Sequence, residues 1–265
     1  MEAAYTVEWI TENDRSRSAT SLMMDDLARA LEPIRNRKFS RLLDIGCGFG
    51  GLTFSVGNTL GIDEIHGIDI DGLALREAAD KGVLTHQLDI GRGALPFENR
   101  YFDLVISFGM LDYLPFFDDA LREIFRIVKV GGYALISLPN LASWHNRLML
   151  LEGYQPRDVE VSREIVVGLH PWYHDNQVLT GHIHSITTRG FIELMAHHGF
   201  EKVTVIGARP PVSKRSFLAR LADAFFSREA TLARRFFYLG VKSTDTVERK
   251  SQPTTVPCAR DRYSA

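Results

Sequence analysis

Residues 42–51, with the sequence LLDIGCGFGG, form a glycine-rich stretch that is typical of nucleotide-binding loops. Gly46, Gly48 and Gly51 have the spacing G-x-G-x-x-G, in which a strand turns sharply into a helix and offers backbone N–H groups to a ligand. Asp44 precedes the first glycine by two residues. A carboxylate beside this loop repels a diphosphate, most strongly in a low-dielectric crevice. The loop therefore favours a ligand with a neutral or cationic group at this point over a dinucleotide.

Two further acids follow predicted strands. Asp69 lies roughly 20 residues beyond the loop, where a carboxylate accepts hydrogen bonds from ribose hydroxyls, and Asp71 is expected to cap the next helix. Asp89 ends the third predicted strand, in HQLDI, where it can accept a hydrogen bond from an adenine amino group. A glycine loop alone can be a tight turn without a ligand, but three acids at consecutive strand ends are harder to explain by packing. S-adenosylmethionine fits, because it has a ribose and an adenine, no phosphate, and both an ammonium and a sulfonium.

The elements that position these residues alternate between strand and helix. Five apolar runs predict strands: RLLDI, EIHGIDI, VLTHQLD, FDLVISF and YALISLP. Helical patterns lie between them, and DDALREIFRIVKVGG is expected to be a helix that ends at Gly131-Gly132. A helix is predicted over residues 19–36, and KVTVIGA and FFYLGVK predict strands six and seven. This alternation predicts an α/β fold with a parallel sheet and helices on both faces.

Composition narrows the class of protein further. The chain has 265 residues and a net charge of −2, which does not indicate nucleic-acid binding through a broad basic face. Its two cysteines, Cys47 and Cys258, are too few for a disulfide framework, so free thiols in a reducing compartment are expected. The N-terminus lacks the features of a signal peptide, and no apolar run approaches the roughly 20 residues of a membrane span. We therefore expect a cytoplasmic protein without a membrane span.

Taken together, these motifs resemble those of a class I S-adenosylmethionine-dependent methyltransferase. LLDIGCGFG, IHGIDID, HQLDIGRGALPFENRYFDLVISFGMLDYL and ALREIFRIVKVGGYALISLPN occur in the order and spacing of that family over residues 41–140. The resemblance implies a Rossmann-like seven-stranded sheet in which strand seven is antiparallel to the rest. It also implies S-adenosyl-L-methionine as the cofactor.

The resemblance further implies which residues contact the cofactor. It assigns the loop to the methionine part, the acid after strand two to the ribose, the third acid and its neighbour to the adenine, and the end of strand four to the reactive end. The predicted cofactor-binding set is Asp44, Gly46, Cys47, Gly48, Gly50, Asp69, Ile70, Asp89, Ile90, Ser107 and Phe108. Arg15 or Arg17 is a candidate partner for the cofactor carboxylate.

Beyond strand five the chain is similar to a bacterial branch of the family. That branch includes quinone-biosynthesis O-methyltransferases and relatives from polysaccharide and natural-product pathways. There the segment after strand five closes over the acceptor, so residues 140–186 are expected to form a lid insertion. The predicted acceptor-binding residues are Tyr113, Trp172, Tyr173, His174 and His184.

His182 is the predicted acceptor-side base. An unperturbed histidine pKa of about 6.5 suits proton transfer near neutrality, and GHI is the part of TGHIHS that matches the branch. If the stretch is extended, His184 points to the same side, so either ring could serve. His182 could instead only order the lid through a backbone hydrogen bond.

Other interpretations of three groups of residues remain open. Trp172 and Tyr173 could be core residues of a subdomain. His170, His174, His182 and His184 could hold zinc, but their spacing without cysteine is poor for a structural site, and we expect no metal. Residues 213–235 pair basic with aromatic side chains, which suits either a helix on a membrane surface or a lid packed on the sheet.

The expected organisation is a methyltransferase domain over residues 1–242 and a disordered tail over 243–265. The expected reaction is methyl transfer to an oxygen or nitrogen of a small or medium-sized acceptor that resembles a natural product, glycan or quinone. Three alternatives are methylation of a peptide or protein amine, an NAD-dependent oxidoreductase, and a cofactor-binding subunit without catalysis. The sequence leaves the oligomeric state open.

Overall fold

The computed structural model describes residues 21–156, 158–162, 164–171, 179, 181–208 and 217–245. In this part of the chain one seven-stranded sheet has the order β3-β2-β1-β4-β5-β7-β6. Strands β1 to β5 pair in parallel, and β7 is antiparallel to both β5 and β6. The strands are β1 (Arg41–Ile45), β2 (Glu64–Asp69), β3 (Leu84–Gln87), β4 (Phe102–Phe108), β5 (Val128–Pro139), β6 (Phe200–Ala208) and β7 (Arg235–Lys242). The predicted α/β fold with an antiparallel seventh strand is confirmed.

Helices connect most of these strands. The α-helices in the described residues are α1 (Ser21–Leu31), α2 (Gly51–Leu60), α3 (Gly72–Asp80), α4 (Asp118–Ile127), α5 (Trp144–Leu151), α6 (Thr188–His197) and α7 (Phe217–Phe226). Short 3-10 helices occupy Glu32–Ile34, Ile90–Arg92 and Leu111–Tyr113. Within the same residues, no helix is long and apolar enough to cross a lipid bilayer.

The sheet is buried on both faces, which explains why its central strands are almost continuously apolar. Neighbouring residues of a strand point to opposite faces, so Leu42 packs in one hydrophobic cluster and Leu43 in the other. The same alternation sends Phe237 to one cluster and Tyr238 to the other. These two cores hold the carboxyl ends of the parallel strands at one rigid edge, and the candidate site forms at that edge.

The predicted end of α4 is wrong. The helix ends at Ile127, and Val128 is already extended, with φ −73° and ψ 135°. Val128 pairs with Phe102 of β4, and Gly131-Gly132 lie inside β5. Val128 is buried in the strand, and it would also be buried if the helix continued. The spacing of apolar residues in the sequence therefore could not distinguish a helix from a strand at this position.

Lys242, at the end of β7, provides hydrogen bonds at this helix-to-strand transition. Its buried ammonium donates to the carbonyl oxygens of Phe125 at 2.8 Å and Val128 at 3.0 Å. It also lies 4.4 Å from the centre of the Phe125 ring. The side chain therefore satisfies carbonyls that the end of α4 leaves without helical partners.

We expect Lys242→Met to lower the free energy of unfolding by about 1–3 kcal/mol, because two buried carbonyl groups lose their donor. Denaturant unfolding of both proteins measures this difference. Lys202→Met is the matched control, because Lys202 is an exposed residue of β6 and its replacement should change stability by no more than about 0.5 kcal/mol. Equal stability of the two variants would contradict the assigned role of Lys242.

Candidate active site

The glycine loop packs against the end of β2 on one side and the turn that follows β4 on the other. The N–H groups of Gly46 and Cys47 donate to the carbonyl of Ile68 at 2.8 and 3.0 Å. Gly46 has φ 83°, and a Cβ built there would lie 2.7 Å from Met110 Cγ. Any side chain at Gly46 would therefore be both strained and obstructed, so glycine is needed to bring the loop this close to its neighbours.

Gly48 has the opposite surroundings. Its φ is 51°, and a Cβ built there would meet nothing within 4 Å, so the loop opens at this residue. Its N–H donates to Asp69 Oδ2 at 2.8 Å, and Asp69 Oδ1 accepts from the N–H of Asp71 at 2.9 Å. Each carboxylate oxygen has two lone pairs, so Asp69 can still accept hydrogen bonds from ligand hydroxyls. The predicted helix cap is confirmed, since Asp71 Oδ1 accepts from the N–H of Leu73 at 2.8 Å.

The charges of Asp44 and Asp69 act on the loop, and the Lys81 ammonium donates a hydrogen bond of 2.9 Å to the Phe49 carbonyl. Asp44 is buried, and its Oδ2 accepts a hydrogen bond of 2.6 Å from the hydroxyl of Thr53. Burial raises the pKa of the Cys47 thiol, and the charges of Asp44 and Asp69 raise it further. The Cys47 side chain packs against Gly67, where a built Cβ would lie 2.6 Å from Sγ. The thiol thus faces the protein, and both carboxylates lie close enough to the loop to disfavour a diphosphate there.

Asp89 does not end strand three as predicted. β3 ends at Gln87, and Asp89 instead caps the following 3-10 helix by accepting from the N–H of Gly91 at 2.9 Å. The N–H of Leu88 donates to the Asp69 carbonyl at 3.0 Å, so this segment still runs alongside the end of β2. One residue, Leu88, therefore separates the strand from its acid, and a short apolar run does not reveal where the strand ends.

The apolar members of the predicted cofactor set differ in exposure. The Ile70 side chain is 68% exposed and offers an apolar surface at this edge, whereas Ile90 is buried in the core. Ser107 is buried too, and its hydroxyl donates to the Ile45 carbonyl at 3.0 Å. The Phe108 ring packs edge-on against Phe237, with 5.7 Å between ring centres. The side chains of Ile90, Ser107 and Phe108 therefore pack against other residues of the protein, whereas that of Ile70 is open to solvent.

Sequence reasoning missed a buried acid, Asp112, in the 3-10 helix after β4. The residue is 2% exposed, and its Oδ2 lies 3.0 Å from Nε2 of His182. Its main-chain carbonyl accepts from the N–H groups of Ile183 at 2.8 Å and His184 at 3.2 Å. Burial raises the pKa of Asp112, while the charges of His182 and Arg235 act in the opposite direction. The sequence signal was a single acid within the apolar stretch GMLDYLPFF.

Asp112 Oδ2 and His182 Nε2 lie at ion-pair distance without hydrogen-bond geometry, and neither carboxylate oxygen of Asp112 has a hydrogen-bond partner among the described residues. His182 Nδ1 is buried and has no hydrogen-bond partner among the described residues. The imidazole packs edge-on against Tyr113, with 5.2 Å between ring centres. Gly181, at φ 82°, brings the main chain so close that a built Cβ would lie 3.2 Å from Tyr113 Cε1. His184 is exposed and its ring faces Phe116 at 6.0 Å, so the two histidines have different surroundings.

Two further polar groups on this side were also missed. Arg235 begins β7, and its guanidinium lies beside Gly109, where a built Cβ would be 2.7 Å from Nη2. Asn146 of α5 donates to the carbonyl of Asn140 at 3.2 Å and to Asp158 Oδ2 at 3.4 Å. Within the described residues, Arg235 Nε and Asn146 Oδ1 are buried without a hydrogen-bond partner. Buried polar atoms of this kind usually bind water or a ligand.

Several predicted residues lie outside the part of the chain that the structure describes. They are Trp172, Tyr173, His174, Arg15 and Arg17. His170 is described, and its Nε2 lies 3.1 Å from Glu152 Oε2. The histidines at 170, 182 and 184 thus contact three different partners, and the described residues contain no group of three or more metal-ligating side chains placed to hold an ion.

Comparisons with known proteins agree with this architecture. A family model described as "Methyltransferase domain" matches residues 15–205. The phthiotriol/phenolphthiotriol dimycocerosates methyltransferase 1 of Mycobacterium ulcerans is 29% identical over 146 residues, which are 52% of this chain and 54% of that protein. A ubiquinone/menaquinone biosynthesis C-methyltransferase of Nitrobacter hamburgensis is 34% identical over 131 residues, which are 44% of this chain and 51% of that protein. The chain thus spans about half the length of these curated relatives.

A solved structure matches over a greater length. It belongs to the complex between the Haloferax volcanii Trm112 methyltransferase activator and its methyltransferase. The matched chain has a TM-score of 0.60 and 16% sequence identity, with coverage of 91% of this chain and 97% of that one. This likeness supports the fold.

Gly48→Ala tests whether the open side of the loop holds the cofactor. Gly61→Ala is the matched control, because Gly61 also has a positive φ, of 64°, and open space around a built Cβ. Both variants should lose about 1–2 kcal/mol of stability from backbone strain. Only Gly48→Ala should weaken binding of S-adenosylhomocysteine, by roughly tenfold or more, as measured by calorimetric titration. Equal affinities of the two variants would place the ligand elsewhere.

Proposed function

The chain belongs to the class I S-adenosylmethionine-dependent methyltransferases, and from this premise we propose that it methylates an oxygen or nitrogen of a small or medium-sized acceptor. S-adenosylmethionine is the cofactor of the family. The acceptor is proposed from the site, because the chain spans about half the length of the curated relatives it matches.

The residues at the glycine loop fit this cofactor. Gly48 leaves space for a ligand, Asp69 keeps lone pairs for ribose hydroxyls, and Ile70 exposes an apolar surface. The charges of Asp44 and Asp69 suit a cationic ligand and oppose a diphosphate, which argues against an NAD-dependent oxidoreductase. The bound cofactor supplies a methyl group on a sulfonium, which is already a good leaving group. The protein therefore acts chiefly by positioning the acceptor and managing its proton.

The contact between Asp112 and His182 is the observation that carries the acceptor-side proposal. Nε2 lies 3.0 Å from Asp112 Oδ2, so we propose that a neutral His182 ring carries its proton on Nε2 and its lone pair on Nδ1. His182 Nδ1 then accepts the proton that the acceptor loses as its oxygen or nitrogen takes the methyl group. Asp112 stabilises the imidazolium that forms, which is the role of the carboxylate in a Ser-His-Asp triad.

The remaining polar groups suggest how an acceptor is held. Arg235 and Asn146 have buried polar atoms that a polar acceptor could satisfy, and the Tyr113 ring lies against the proposed base. Trp172, Tyr173, His174 and His184 complete the proposed acceptor-binding set on sequence grounds. A peptide or protein amine is the alternative acceptor. The ubiquinone/menaquinone relative is named a C-methyltransferase, so analysis of the product identifies the acceptor atom.

A panel of phenols, hydroxy acids, amines and short peptides, assayed for S-adenosylhomocysteine release, tests the proposal. For an active acceptor, His182→Ala should lower kcat by about 10²–10⁴-fold without changing cofactor affinity, because a general base contributes that factor. His197→Ala is the matched control, since that histidine is exposed at the end of α6, belongs to no proposed binding set and should affect turnover little. Near-normal turnover of His182→Ala at every pH would remove His182 from the mechanism. Cofactor binding without turnover across the panel would favour a non-catalytic cofactor-binding subunit.

A further inference from the structure

Among the described residues, one face of helix α7 is held to the protein by side-chain contacts. The Phe226 ring stacks on Trp144 of α5, with 5.4 Å between ring centres. The buried carboxylate of Asp223 accepts a hydrogen bond of 3.0 Å from Trp144 Nε1 and another from Arg234. The inner face of the helix therefore contains its only acid, which is held in a hydrogen-bonded ion pair.

The outer face of α7 is apolar and exposed. Leu218, Leu221 and Phe225 are 76%, 52% and 62% exposed. Their spacing of i, i+3 and i+7 places them on one stripe of the helix. Exposed large apolar side chains scattered singly are ordinary, but an aligned stripe of three on one helix marks an interaction surface.

The charge around this stripe is positive. Residues 213–228, SKRSFLARLADAFFSR, contain four basic residues, and Asp223 is the one acid among them. Arg220 and Arg228 are exposed, and the Arg228 guanidinium lies 6.0 Å from the centre of the Phe225 ring. Because Asp223 is turned inward, the outer face of the helix combines apolar side chains with the exposed Arg220, and the exposed Arg228 and Glu229 follow the helix. This combination is complementary to an anionic lipid surface.

We propose that α7 binds the surface of an anionic bilayer. Leu218, Leu221 and Phe225 enter the boundary between headgroups and acyl chains, while Arg220 and Arg228 contact lipid phosphates. A second copy of the chain fits this face less well, because paired stripes would bring arginines of like charge together. One helix face is also small against the ~800 Å² that each partner of a stable complex buries. The proposal does not depend on the methyl acceptor.

Sedimentation of the full chain with vesicles tests the proposal, with one set of phosphatidylcholine alone and one containing phosphatidylglycerol. The wild type should bind the anionic vesicles more tightly, and added salt should weaken that binding. Leu218→Gln/Leu221→Gln/Phe225→Gln should reduce the affinity by roughly tenfold or more. Arg220→Gln/Arg228→Gln should reduce it by roughly fivefold for each arginine on anionic vesicles only.

The matched control is Leu84→Gln/Val130→Gln/Val203→Gln, which replaces apolar residues of 51%, 48% and 38% exposure on three strands. Its vesicle affinity should equal that of the wild type. S-adenosylhomocysteine affinity and the thermal unfolding midpoint, measured on every variant, confirm folding and keep this test separate from the proposed methyl transfer. The proposal is overturned if the folded wild type ignores anionic vesicles, or if the control loses as much affinity as the α7 variant. A wild-type dimer that the α7 variant abolishes, without vesicle binding, would instead identify a second copy as the occupant.

Discussion

The buried contact between Asp112 and His182 joins the two parts from which the site is built. Asp112 belongs to the turn after β4, whereas His182 belongs to the chain that precedes α6. The same acid fixes the main chain of the second part, because its carbonyl accepts the N–H groups of Ile183 and His184. A buried carboxylate is costly, as the raised pKa of Asp112 indicates, and such residues concentrate at functional sites. The position of the proposed base therefore depends on this one residue.

The sheet positions the contact between Asp112 and His182, because it fixes where the turn after β4 begins. Parallel strands buried on both faces end at one edge, and the glycine loop, Asp69 and Asp112 all follow strands at that edge. The charges of Asp44 and Asp69 favour a cationic ligand on one side. On the other side lies His182, the proposed base, whose Nδ1 has no hydrogen-bond partner among the described residues. The proposed cofactor and acceptor sites thus lie on turns that the same sheet positions.

Features encoded locally were predictable from the sequence. The glycine loop, the strand that ends at Asp69 and the cap at Asp71 depend on residues a few positions apart, and the structure agrees with each. The end of α4 was not predictable, since Val128 is buried in a helix pattern and in a strand pattern alike. Asp112, Arg235 and Asn146 were missed because tertiary packing, and no local spacing, gives them their surroundings. The different partners of the His182 and His184 rings, Tyr113 and Phe116, also arise from tertiary packing.

The tautomer of His182 shows whether Asp112 orients the proposed base, and measuring it requires no acceptor. Nitrogen-15 NMR of histidine-labelled protein, with the His182 signals identified by their loss in His182→Gln, reports which ring nitrogen carries the proton. We expect the neutral ring to be protonated at Nε2, next to Asp112, and Asp112→Asn to perturb this signal. A neutral ring protonated at Nδ1, or Nε2 signals that do not respond to Asp112→Asn, would contradict this expectation.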